Sequence, residues 1–77
     1  MEEYDVVRVA SLLTVTRKII GSDDVLRQPR IDDVGTIVHV NKPGKNFIVE
    51  CSDEKGRTVW LADFDVDELA IVTGNDG

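Results

Sequence analysis

Between Val34 and Ala62 the chain sets down three short β-rich segments separated by two compact turns, and no other feature constrains the fold as much. Val34-Gly-Thr-Ile-Val-His-Val40 is rich in β-branched residues and predicts a strand. Asn41-Lys-Pro-Gly-Lys45 carries the Pro and Gly of a turn, and Asn46-Phe-Ile-Val-Glu-Cys51 predicts the next strand. Asp53-Glu-Lys-Gly56 makes a second turn before Arg57-Thr-Val-Trp-Leu-Ala62. Turns this short can join only antiparallel neighbours, so the segment predicts a three-strand meander.

The flanks extend that frame. Tyr4–Val9 predicts a first strand, and Glu68–Val72 a short last one. Between Ala10 and Asp33 the apolar residues Leu12, Leu13, Val15, Ile19 and Ile20 follow neither helical nor strand spacing. That stretch predicts a long loop, with residues 11–30 the most mobile part of the chain outside its tails. Asp63–Asp67 is too acidic for a buried strand and predicts a one-turn helix before the last strand. The expected domain is residues 1–72, followed by a flexible tail at 73–77. Strand, long loop, meander, helical turn and strand together predict a mostly β fold, a small SH3-like barrel. Its expected core is Val6, Val9, Val34, Ile37, Phe47, Val49, Val59, Leu61, Leu69 and Val72.

Charge narrows the partners. Residues 1–30 hold five acids and five bases; residues 31–77 hold ten acids and four bases, which accounts for the whole net charge of −6. Nucleic-acid binding runs on phosphate neutralisation, so this balance counts against it. Arg17, Lys18, Arg27 and Arg30 share the long loop with Asp23 and Asp24 and are read as a solvated face. The acidic N-terminus lacks the basic start and apolar run of a secretory leader, and no apolar run is long enough to span a bilayer. A lone cysteine, Cys51, suits a reducing compartment, and a cytoplasmic location with no membrane association is expected.

Catalytic chemistry has little to work with. In a meander turning near Pro43, His39 faces residue 47 and Cys51 faces residue 35. Their side chains then stand on the order of 13 Å apart, too far for a nucleophile–base pair. Cys51 follows Phe47 and Val49 in alternation and is read as a buried structural thiol. Counted from Asp63, an EF-hand loop needs Gly at its sixth position and Glu at its twelfth, where this chain has Glu68 and Gly74. No phosphate-cradling glycine loop exists either. The expectation is a chain with no enzymatic activity of its own, no cofactor and no metal.

The segments Asp5–Val9, Pro29–Val38, Phe47–Glu50, Thr58–Phe64 and Asp67–Leu69 resemble a widespread bacterial family of short SH3-like proteins with no assigned function. The resemblance covers nearly the whole chain and is weakest over residues 11–28. That family usually shows Gly-Asp-Val-Gly before the second strand, whereas Asp32 stands here at the first of those positions. The departure bears on the tightness of that turn, not on the fold. Asp33-Val-Gly-Thr-Ile-Val38 is also similar to the strand entry of KOW-type ribosomal and transcription domains and of the nitrile hydratase β-subunit barrel.

These features favour a protein-binding module (adaptor, accessory subunit or immunity-like inhibitor) acting as a monomer or weak dimer on a basic or amphipathic partner segment. The resemblances leave two alternatives, a KOW-like nucleic-acid-associated domain and a non-catalytic subunit of a larger enzyme. The candidate binding residues are Trp60, Glu50, Asp63, Asp65 and Asp67. If Val59 and Leu61 face the core, Trp60 faces outward and anchors an interface. If the strand sits one register off, Trp60 is itself core.

Overall fold

The computed structural model describes residues 1–13, 27–41 and 46–73. Its strands are β1 (Val6–Val9), β2 (Val34–Asn41), β3 (Asn46–Ser52), β4 (Thr58–Asp65) and β5 (Leu69–Thr73), with a 3-10 turn, η1, at Val66–Glu68. They form one antiparallel sheet in the order β4-β3-β2-β1-β5. The meander is therefore present as predicted, and the fold is mostly β. Among the described residues the sheet is open, with β4 and β5 as its two edges, so closure into a barrel is not seen. Most of the predicted mobile loop (residues 14–26), the turn centre at 42–45 and the tail at 74–77 lie outside the described residues.

Local chemistry sets the turns. Between β3 and β4 the Asp53 carboxylate accepts from the backbone N–H groups of Lys55 and Arg57, each at 2.9 Å. Gly56 closes that turn at a φ of 80°, a conformation glycine adopts without steric cost. Asp32 is left-handed too, at a φ of 76°. Aspartate is among the few residues that tolerate this region, and an ion pair to Arg8 at 2.9 Å holds it. Gly35 answers a different need: a Cβ there would meet the Glu50 carbonyl oxygen at 2.6 Å.

The core is Val7, Val9, Ile37, Phe47, Val49, Cys51, Val59, Trp60, Ala62, Phe64 and Leu69. Six of the ten expected members are in it: Val9, Ile37, Phe47, Val49, Val59 and Leu69. Val6 and Leu61 are only half-buried, because alternation turns them to the outer face opposite Thr36 and Glu50. Val34 is 47% exposed, paired with Arg8 on that same face. Val72 is 52% exposed, and it is the residue skipped where the pairing shifts from Val7↔Ile71 to Val6↔Thr73.

Several boundaries differ from expectation: β1 starts at Val6 and not at Tyr4, where the backbone turns at a φ of 70°, and β5 starts at Leu69 because Glu68 belongs to η1. Asp63 to Asp65 continue β4 and do not form a helical turn, since Phe64 packs inward opposite Phe47 while the two acids point away. The turn starts only at Val66, capped by Asp65. Thr73, expected in the tail, is the last residue of β5.

Candidate protein-binding face

Trp60 is fully buried, at 0% exposure, so of the two placements left open by the sequence the core one holds and the outward interface anchor does not. A bulge is the physical reason. Cys51 pairs with Trp60 and Ser52 with Thr58, so Val59 is the extra residue between them. Trp60 then shares the inward parity of Cys51, Ala62 and Phe64, while the bulged Val59 tucks in beside it. The indole ring packs against Phe64 with centroids 5.2 Å apart and planes tilted at 49°.

A buried indole needs an acceptor, and Asp33 supplies it. Trp60 Nε1–H donates to Asp33 Oδ2 at 2.9 Å. The Arg27 guanidinium donates to both carboxylate oxygens, at 2.7 and 2.9 Å, and the Arg30 backbone N–H adds a further bond at 2.9 Å. Burial pushes the Asp33 carboxyl up. The bonds from Arg27, Arg30 and Trp60 outweigh it and hold the group below the usual carboxylate range. Arg27 is raised in turn, chiefly by its bond to Asp33. The Arg27 N–H also donates to the Val59 carbonyl at 3.3 Å, so this segment lies along the β4 edge. Arg27, expected with Arg17, Lys18 and Arg30 on a solvated face, is instead drawn onto Asp33, an acid that the demand of a core tryptophan for an acceptor could have pointed to.

The other four sequence candidates fall into two groups. Glu50 and Asp63 point to the outer face of the sheet, with Glu50 opposite Leu61 and Asp63 opposite Ile48. Glu50 accepts a bond from the Thr58 hydroxyl at 2.9 Å, which fixes its carboxylate. The half-buried Ile48 and Leu61 thus occupy one diagonal of this four-residue block and the two acids the other. His39 completes the row beside Ile48 and is exposed. Asp65, the last residue of β4, caps η1, and Asp67 lies within it. The Asp65 carboxylate accepts from the Asp67 N–H at 3.0 Å, and the Asp67 carbonyl accepts from the Ser11 hydroxyl at 3.2 Å.

Glu68 completes a capping box with Asp65 although it is only 2% exposed. It accepts from the Asp65 N–H at 2.9 Å and from the Leu13 N–H at 2.8 Å, tying the strand-to-loop exit to η1. The Asp-x-x-Glu spacing of a capping box was visible in the sequence.

Cys51 and His39 lie on opposite faces, one buried and the other exposed. A bulge at Val38 sets His39 opposite Ile48, not residue 47 as expected. Cys51 lies beside an open pocket of about 480 Å³ whose rim includes Arg27, Lys55 and Arg57. Burial pushes the Cys51 thiol up, Asp33 adds to the rise, and Arg27 opposes it, so the net effect disfavours the nucleophilic thiolate. Among the described residues no three His, Cys, Asp or Glu side chains converge as metal ligands would. Comparison with protein-family models, curated proteins and solved structures finds no match.

Proposed function

We propose that this chain is a non-catalytic protein-binding module, an adaptor, accessory subunit or immunity-like inhibitor, that takes a basic, partly apolar segment of a partner. The observation that carries the reading is the outer face of the meander, where Glu50 and Asp63 flank Ile48 and Leu61. Ile48 and Leu61 take the anchoring role that Trp60, in the core, cannot fill. Acids around an apolar centre steer a basic partner and raise its association rate, while the apolar contacts control how long it stays. The strand order and the 3-10 turn before β5 support a small SH3-like topology for the domain. The separation of Cys51 from His39 supports a role without turnover.

Lysate capture by the wild-type chain and by a Glu50→Lys/Asp63→Lys double variant tests the reading. A partner held by the wild type, released by salt and lost from a variant that unfolds at the wild-type midpoint supports it. An identical captured set for both proteins overturns it.

A further inference from the structure

The two edges of the sheet differ. On β4 the outward positions carry Asp63 and Asp65, and the Arg27 segment bonds to the Val59 carbonyl; charges and covering chain are the usual protections of an edge. On β5, Leu69-Ala-Ile-Val-Thr73 carries no charge and no proline, Ile71 and Val72 are 48% and 52% exposed, and among the described residues the strand pairs with β1 alone.

The ladder shows which backbone groups that edge offers. Val9 donates to the Asp33 carbonyl and accepts from the Asp32 N–H, so its polar groups point toward β2. Alternation then turns Arg8, the partner of Ala70, toward β5, and Ala10 confirms the phase by donating to the Glu68 carbonyl at 2.8 Å. Glu68 and Ala70 therefore face β1, and the N–H and C=O of Ile71 face away from the sheet.

We infer that β5 accepts an extended strand from a partner, in register with Ile71, and that this strand carries basic residues on both sides of an apolar centre. The inference rests on the chain being a protein-binding module and goes beyond the face proposed above. It adds a second contact on β5, which β2 and β1 separate from the β3–β4 face of Glu50 and Asp63. Charge selects the occupant. Exposed Asp67 lies just before the start of β5, and Thr73 at its end pairs with Val6, which follows directly on the turn holding exposed Glu2 and Glu3. The nearby cation Arg8, opposite Ala70, is already paired with Asp32. A second copy of this chain fits poorly. Antiparallel pairing of two β5 strands sets the Asp67 end of one against the Glu2–Glu3 end of the other, and parallel pairing sets like ends together. A basic strand meets both acidic ends and takes up the outward N–H and C=O of Ile71 as main-chain bonds.

The probe is a synthetic peptide, Lys-Arg-Thr-Val-Thr-Ile-Thr-Lys-Arg, followed by amide NMR and hydrogen exchange on the full chain. Saturation should slow exchange of the Ile71 amide by about tenfold or more. N-methylation of the peptide's central residues, or Ile71→Pro in a chain shown folded by its Trp60 fluorescence, should weaken binding by a similar factor. Replacing the peptide's bases with Glu should abolish binding. Three results overturn the inference. The first is peptide shifts confined to Ile48, Leu61 and Asp63 with the Ile71 amide unchanged, which leaves the binding-module reading standing. The second is no binding at millimolar peptide, after which that reading is judged by the capture experiment alone. The third is an Ile71 amide already protected in a dimer of the free chain.

Discussion

Asp33 accepts a 2.9 Å hydrogen bond from the Trp60 indole across 27 positions of sequence, while Arg27 grips the same carboxylate with both terminal guanidinium nitrogens, Nη1 and Nη2. The pairing links acid sensitivity to the core. Because the folded-state pKa of Asp33 is depressed, its stabilisation is complete above the ordinary carboxylate value of about 4 and is lost as pH falls through the lower folded-state value. The unfolding midpoint should fall through that acidic range, and Asp33→Asn should flatten the fall. Some acid dependence should remain, because Asp53 is also held low, by the Arg57 N–H first. At neutral pH, Asp33→Ala should cost about 1–3 kcal/mol by leaving the indole N–H without an acceptor. Denaturant melts at a series of pH values check both statements.

Trp60 reports directly on the fold. With no exposed surface it should resist quenching by neutral acrylamide in the native state and become fully quenchable on unfolding. Trp60→Ala should cost about 3–5 kcal/mol, a large share of the stability of so small a domain. A native tryptophan quenched as readily as the free amino acid would contradict the core placement.

Two glycines separate steric from conformational cost. Gly35→Ala forces a Cβ to 2.6 Å from the Glu50 carbonyl and 2.8 Å from the Val49 side chain, so β2 and β3 must shift. A loss of about 1–3 kcal/mol is expected. Gly56→Ala meets nothing within 4 Å but retains a φ of 80°, and should lose only about 1–2 kcal/mol. Moving the turn residue to Asn, which tolerates left-handed backbone, should restore part of the second loss and none of the first.

Glu68 should behave as a structural acid. Glu68→Ala removes the acceptor for the Asp65 and Leu13 N–H groups and should cost about 2–3 kcal/mol, with faster exchange at both amides. Glu68→Gln keeps an acceptor oxygen and should lose less.

The sequence by itself determined the strands and their order. β-branched runs punctuated by Pro and Gly turns leave few antiparallel arrangements, and the turn at Asp53–Gly56 is locally encoded by an aspartate that bonds its own backbone. Glu50 was legible as an outward residue from its alternation with Phe47, Val49 and Cys51. The place of Asp63 on the same face was not, since its acidic neighbours read as a helical turn and the bulge at Val59 resets the parity of β4. Which face Trp60 takes was decided only in three dimensions. It depends on a bulge that places Val59 between the Cys51↔Trp60 and Ser52↔Thr58 pairs, and a bulge is a compromise between two strands that neither announces alone. The same holds for the Asp33 cluster, since its members stand 27 positions apart and meet only when the chain leading into β2 crosses the edge of β4. The edge position of β5 among the described residues has that character too, because a strand becomes an edge through what does or does not pair with it, not through its own residues.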